Sequence, residues 1–389
     1  MRILFVHSGS DLYGASRSLA RLASRLTKDG HSVLIVLPGE GPLKPLLEQS
    51  GMSVTIHPCL PLLTRKTFGG IRGILSIAAR MPGAVYRLCR LIRTFQPDLM
   101  HTNTATVFLV SGLAARACRV PHIWHIREFF TEFGRVWNVY RRMIDFLSDR
   151  IICVSEAVAS QFTERGRRKT RVVHNGMPAV EFDAVEGLRV EQFKHRHGLG
   201  NGLAAGVVGR IKLKRKGQET FVEAAAQLKE TFSKANYLIV GSPFPGNESH
   251  EKALRQKVAE LGMTDQVVFT GDVQDIKAAI SALDVVVLSS GQPEPFGGAV
   301  VEAMALRRPV IGTCIGGTVE QIEDGVTGFL VEPNNPADMA RAMERLFKDP
   351  ALRQRMGQAG RDRFLRLFEF EGFYTKVMSL YQSLAVLKP

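Results

Sequence analysis

From the first residue onward, short apolar runs alternate with longer segments whose apolar positions recur every three or four residues. The runs Ile3 to His7, Ser32 to Leu37, Ser53 to His57, Leu99 to His101, His122 to His125, Ile151 to Val154 and Arg171 to His174 read as strands. Between them, Ala15 to Leu26 and Val107 to Ala117 carry helical periodicity. Repeated strand and helix alternation requires crossover connections, so the pattern predicts a parallel sheet with helices on both faces. Asn175 to Gly202 is polar, broken by Gly and Pro, and lacks a clear period, which marks a linker and lead-in. Alternation resumes with Leu203 to Val208, Tyr237 to Val240, Gln266 to Thr270, Val285 to Leu288, Val310 to Gly312 and Phe329 to Val331. The tail from about Ala337 reads as helical, with Phe370, Phe373, Tyr374, Val377, Met378 and Tyr381 on one apolar stripe. A chain of 389 residues exceeds one ordinary core. Two α/β domains are expected, residues 1–175 and 176–369.

Charge divides the chain as the pattern does. Residues 1–180 hold 25 Lys and Arg against 11 Asp and Glu, while residues 181–389 hold 26 of each, so the whole formal excess of +14 lies in the first half. Pro61 to Pro97 contains Arg65, Lys66, Arg72, Arg80, Arg87, Arg90 and Arg93 and no acid. Apolar residues alternate with these at helical intervals. The segment is read either as a basic amphipathic helix on an anionic membrane surface or as an ordinary helix with a solvated basic face. No helix-turn-helix, RNP or zinc-finger pattern accompanies it, so nucleic acid is not the expected partner. Five cysteines, Cys59, Cys89, Cys118, Cys153 and Cys314, contain no C-x-x-C pair, which suits reduced thiols in a cytoplasmic compartment and suggests no zinc site. The start lacks the marks of a secretory signal, and no apolar stretch is long enough to span a bilayer. A cytoplasmic protein is expected, soluble or peripheral on the inner face of the membrane.

Candidate chemistry concentrates where predicted strands give way to glycine-containing turns. Glu294-Pro295-Phe296-Gly297-Gly298 follows the Val285 to Leu288 run and opens a helical segment that carries Glu302. Unpaired amides of a helix start should surround Phe296, Gly297 and Gly298, and the glycines let a ligand approach the backbone. Two carboxylates beside those donors suit gripping hydroxyls on two parts of one ligand. Upstream, Gly209-Arg210-Ile211-Lys212-Leu213-Lys214-Arg215-Lys216-Gly217 follows another strand and opens the helix Gln218 to Leu228. Its five cations make an anion site, because Arg forks onto phosphate oxygens and Lys supplies a mobile charge. Ser8 to Ser16 is a further glycine-containing loop, and it lacks the G-x-G-x-x-G spacing of dinucleotide sites. No D-x-D triplet occurs, so a metal-bridged diphosphate site is unsupported.

Across nearly its whole length the chain resembles the retaining glycosyltransferases of the GT-B fold, specifically family 4. The resemblance implies two Rossmann-like domains facing a central cleft, with residues from about 370 to 389 crossing back onto the first domain. It implies that Arg210 and Lys216 hold the diphosphate of a nucleotide sugar. The loop looks one residue longer than the family pattern, leaving Lys214 and Arg215 as alternatives. Glu294 and the amides of Phe296, Gly297 and Gly298 would contact the donor sugar, Glu302 the ribose, and Gly209 would border the donor. In the first domain, Gly14 and Ala15 would border the donor phosphates and the acceptor, and His125 would lie near the transferred sugar. His101 and Arg127 are candidates for the acceptor side, His101 as cleft lining. Asn175-Gly176 resembles a strand-end turn at the domain junction, and Gly316-Gly317 with Glu320 a glycine loop near the nucleotide. The implied reaction moves a hexose-type sugar from a nucleoside diphosphate to a glycan or lipid-linked acceptor, without metal or other cofactor. Two rival readings keep the fold: a nucleotide-sugar epimerase or hydrolase, and a non-catalytic protein that binds sugar nucleotide or anionic lipid.

Overall fold

The computed structural model describes residues 1–58, 60, 71–104, 107, 109–130, 134–183 and 185–385, excluding the side chains of residues 71–74 and 135. The chain divides into two compact units, Met1–Gly176 together with the chain from Phe373, and Met177–Gly372.

The first unit is built on β1 (Arg2–Val6), β2 (Ser32–Leu37), β3 (Ser53–Ile56), β4 (Leu99–Thr102), β5 (His122–Ile126), β6 (Arg150–Cys153) and β7 (Thr170–Val172). All pair in parallel, in the order β3-β2-β1-β4-β5-β6-β7. Because crossover helices cover both faces, alternate residues of each strand face different helix layers. Leu4 and Val6 pack with Met100, Ala84, Leu88, Ile92, Val110 and Ala114. Phe5 and His101, register partners on β1 and β4, put their rings 4.9 Å apart on the opposite face. The helix Phe370–Ala385 buries Phe373, Tyr374, Val377, Tyr381 and Leu384. Tyr374 donates to Asp29, the C-cap of the helix Gly14–Lys28, and Tyr381 reaches His101, which ties this last helix to the strands and helices of the first unit.

The second unit repeats the plan with β8 (Ala204–Val208), β9 (Asn236–Val240), β10 (Val267–Gly271), β11 (Val285–Leu288), β12 (Val310–Thr313) and β13 (Gly328–Val331), in the order β10-β9-β8-β11-β12-β13. Both sheets therefore reverse strand order once, between β1 and β4 and between β8 and β11. Loops leaving the carboxyl ends at such a reversal diverge to opposite faces and leave a crevice.

The structure departs from the sequence reading at the linker and adds detail to the tail and the basic segment. The presumed linker contains the helices Val180–Asp183 and Gly187–Arg196. Of the second, only Phe193 is fully buried, so it presents no apolar stripe to read. The helical tail is three helices, Pro336–Lys348, Pro350–Leu367 and Phe370–Ala385. Asp349 caps the second through the Leu352 amide at 2.8 Å, with Pro350 at its first position. The basic segment is a helix over Ile71–Phe95 that buries Ala84, Leu88, Cys89 and Ile92 and exposes Arg80, Arg87, Arg90 and Arg93. Cys59, Arg65 and Lys66 lie outside the described residues. Among those described, no helix is long and apolar enough to cross a membrane.

Candidate functional site

In the second unit, the two loops leaving the β8/β11 reversal are joined along their backbones. The Arg215 carbonyl accepts the amides of Gly291 and Gln292 at 3.0 and 3.3 Å, and the Lys216 carbonyl accepts the Ser289 hydroxyl at 2.8 Å. Gly217 makes this approach sterically feasible: its φ is +64°, and a Cβ there would stand 1.8 Å from the Ser289 carbonyl oxygen. Gln218, nearly inaccessible, fixes the basic loop by donating to the Arg210 carbonyl at 2.8 Å and accepting the Lys212 amide at 3.4 Å.

This arrangement brings Lys216 to Glu294. The ammonium Nζ lies 2.7 Å from Oε1, and the Ser290 hydroxyl donates to the same oxygen at 3.0 Å. Glu294 is 5% exposed, whereas the Lys216 side chain keeps 29% of its surface. An ammonium has three donors, so Lys216 retains donors beyond the one given to Glu294. Lys214 is exposed with φ +60° and gives its amide to Glu219 at 3.0 Å. Arg210 is half-buried, its guanidinium 4.9 Å from the ring centroid of Phe244. Gly209, with φ +140°, passes its amide to the Val240 carbonyl at 2.9 Å.

The backbone of Glu294 is held from the loop after β12. Its carbonyl accepts the Gly317 amide at 2.7 Å, and Gly316, with φ +62°, is so close that a Cβ would lie 2.4 Å from the Glu294 oxygen. Gly297 precedes the helix Gly298–Ala305, whose first intrahelical bonds run from Val300 and Val301 to the Gly297 carbonyl. The amides of Gly298 and Ala299 thus have no acceptor within the helix, and a helix start is positive. The expected trio of ligand-facing amides is corrected in one member. The Gly297 amide donates to Gln321 Oε1 at 3.1 Å and is not available to a ligand. Glu302 is half-buried on the same helix.

In the first unit, the β1/β4 reversal is filled by a polar network. Asn103 Nδ2 donates to His7 Nδ1 at 3.2 Å, His7 Nε2 to Ser16 Oγ at 2.9 Å, and Ser16 Oγ to Asp11 Oδ1 at 3.1 Å. That chain fixes a neutral imidazole, and burial, then the Arg127 charge, pulls the His7 pKa down to about 4. Arg127, 8% exposed, donates Nε and Nη2 to Asn103 Oδ1 at 3.3 and 3.1 Å, Nη2 to Ser18 Oγ at 3.2 Å and Nη1 to Asn175 Oδ1. Burial lowers its pKa to about 10, so the guanidinium stays charged at neutral pH. Asn103 also donates to the Ala15 carbonyl at 3.2 Å, while Gly14 is exposed at the start of its helix.

Both histidines expected at the site are buried. His101 does not line an open surface: it has no exposed area and its Nδ1 stands 2.6 Å from the Tyr381 hydroxyl. His125 is equally inaccessible, its ring 5.4 Å from that of His101 and its Nδ1 3.3 Å from Arg127 Nη2. Burial holds both well below the usual histidine range. The Nε2 atom of each is buried without a hydrogen-bond partner, and His125 Nδ1 lies against Arg127. Sequence reasoning did not single out Ser290, Phe244 or Gln321. Ser290, beside Glu294, carried a local signal. Phe244 and Gln321 arrive from other strand ends and carried none.

A sequence profile described as Glycosyl transferases group 1 matches residues 191–363, and one described as Glycosyltransferase Family 4 matches residues 13–179. The chain is 34% identical over 357 residues to a 2-deoxystreptamine glucosyltransferase of Streptomyces kanamyceticus, covering 86% of this chain and 88% of that one. It is 30% identical over 302 residues to the putative glycosyltransferase EpsD of Bacillus subtilis, covering 74% and 77%. In fold it is similar to Anabaena Alr3699/HepE, whose crystal structure is in complex with UDP. The TM-score is 0.85, with 24% identity and coverage of 98% of this chain and 100% of the other.

Proposed function

Because the chain belongs to the glycosyltransferases of family 4, also called group 1, we propose that it moves a hexose-type sugar from a nucleoside-diphosphate sugar to a glycan or lipid-linked acceptor. The observation that carries this reading is the Lys216 and Glu294 pair at the β8/β11 reversal, beside the start of the Gly298–Ala305 helix. Breaking the bond between sugar and diphosphate builds positive charge on the ring and negative charge on the leaving oxygens. Arg210, the remaining donors of Lys216 and the helix start meet the diphosphate as fixed positive charge, which needs no reorganisation as the bond breaks. Glu294, desolvated and oriented by Lys216 and Ser290, accepts hydroxyls of the transferred sugar. Glu302 accepts those of the ribose. Arg127 stands at the first unit's reversal as the charged group on the acceptor side, and Gly14 leaves the neighbouring backbone open.

The reaction in this reading retains anomeric configuration and requires no metal: the acceptor oxygen bonds to the anomeric carbon on the face from which the diphosphate leaves, and the departing phosphate oxygen takes the acceptor's proton. The basic first half supports an acceptor held at an anionic membrane surface, in the building of a surface polysaccharide or glycolipid.

The test is a thermal-shift and calorimetric series with UDP, GDP, ADP, TDP and CDP sugars, run in chelator and again with Mg²⁺. One nucleotide series should stabilise the protein equally in both conditions, and Glu302→Ala should abolish the effect. Stabilisation by none of them would remove the donor assignment. Stabilisation that appears only with Mg²⁺ would remove the metal-free mechanism.

A further inference from the structure

The helix Gly134–Leu147 carries more apolar surface than the fold uses. Trp137, Tyr140, Ile144 and Leu147, spaced at three and four residues, are buried. Val136, Val139, Met143 and Phe146 repeat the same spacing one position earlier and remain 41%, 59%, 38% and 56% exposed. A one-residue offset on a helix is a rotation of about 100°, so this second stripe lies beside the buried one and faces outward. Between it and the neighbouring helix Val110–Ala117 runs a groove lined by Leu113, Val139, Arg142, Met143, Phe146 and Leu147. Scattered apolar residues on a surface need no explanation, but a stripe continuous with a groove does.

Arginines border this stripe. The Arg116 guanidinium lies 4.4 Å from the Phe146 ring centroid, Arg119 shares a second groove with Phe146, and Arg93 shares a third with Arg119. Asp98 and Asp149 line those grooves, and one oxygen of each accepts a backbone amide, of Arg2 and His122 respectively, at 2.8 Å. A second copy of this chain would bring these arginines against their own kind. An anionic bilayer offers phosphates to the arginines and an acyl boundary to the apolar side chains.

We propose that this face docks the protein on anionic membranes, with Val139, Met143 and Phe146 entering the headgroup boundary and Arg116, Arg119 and Arg142 binding lipid phosphates. This rests on the membrane-facing part of the proposed function. It differs from the sequence expectation, which placed the contact on Pro61 to Pro97.

The experiment floats the full chain with vesicles of phosphatidylglycerol and phosphatidylcholine, and with phosphatidylcholine alone. Two variants change exposed side chains only: Val139→Ser with Phe146→Ser, which preserves charge, and Arg116→Gln with Arg119→Gln and Arg142→Gln. Circular dichroism confirms their fold. The unchanged protein should bind the anionic vesicles, less so as salt rises, and each variant should bind about tenfold more weakly. No binding to anionic vesicles would overturn the proposal. So would binding that survives Val139→Ser with Phe146→Ser, or a self-association lost in that variant while vesicle binding persists. Because the readout is binding, a protein that transfers sugar and ignores vesicles would sink this inference and leave the transferase reading in place.

Discussion

Gln321 closes on both polar groups of Gly297: its Oε1 accepts the Gly297 amide at 3.1 Å and its Nε2 donates to the Gly297 carbonyl at 3.0 Å. Gln321 is inaccessible to solvent. Truncating it strands two polar groups of the turn that aims the Gly298–Ala305 helix. Gln321→Ala should cost about 1–3 kcal/mol of stability, as an unsatisfied buried group does. Donor affinity should fall with it, because the helix start is no longer held in place. Denaturant melts and donor titrations check both; full donor affinity in a destabilised variant would show that Gln321 supports the fold and not the site.

Lys216 and Glu294 should behave as one unit. Removing the lysine leaves a 5%-exposed carboxylate that still accepts the Ser290 hydroxyl; removing the glutamate takes away the ammonium's carboxylate partner. Each single alanine variant should lower turnover by about a hundredfold or more, the range for removing a preorganised charge at a reacting centre. The double variant should be little worse than the poorer single. A double-mutant cycle in kcat/KM reads the coupling directly, and additive losses would mean that the two act on separate parts of the substrate.

The strands were legible because a parallel strand buried on both faces is a continuous apolar run, and β2 and β11 match their runs residue for residue. The site was legible as far as it is local. Arg210, Lys216, Glu294 and the glycines sit in two segments directly after strands. Gln321 was not, since it meets Gly297 only because β12 lies beside β11 in the sheet. The surroundings of His101 and His125 were not legible for the same reason. A histidine near a strand end can face a crevice or a covering helix, and Tyr381, which reaches His101, is 280 residues away along the chain.

Two glycines should separate packing from approach. At Gly316 the φ is +62° and a Cβ would lie 2.4 Å from the Glu294 carbonyl oxygen and 2.7 Å from its nitrogen. Gly316→Ala must displace Glu294, so stability and turnover should fall together. At Gly14 nothing lies within 4 Å of an added Cβ, and the residue is exposed at a helix start. Gly14→Ala should leave the melting temperature unchanged or slightly raised. If donor or acceptor approaches that backbone as proposed, KM should rise in Gly14→Ala without any loss of stability. An unchanged KM would place the ligand elsewhere.

The first unit should lose stability in mild acid. Burial lowers the pKa of His7 and His122 from 6.5 to about 4 and holds His101 and His125 well below their usual range. Between pH 6.5 and 4 the unfolded chain binds protons at these positions that the folded chain refuses. The unfolded state therefore holds more protons, and unfolding free energy rises with pH across the window and falls as pH drops through it. Each such histidine contributes a slope of at most about 1.4 kcal/mol per pH unit. His7→Gln removes one titrating group while keeping a donor and an acceptor for Ser16 and Asn103. Its unfolding free energy, measured by urea melts at fixed pH, should depend less steeply on pH over this range than that of the unchanged protein. Parallel slopes would mean that His7 is free to take its proton in the folded state, and that the Asn103 to Asp11 hydrogen-bond chain does not hold it neutral.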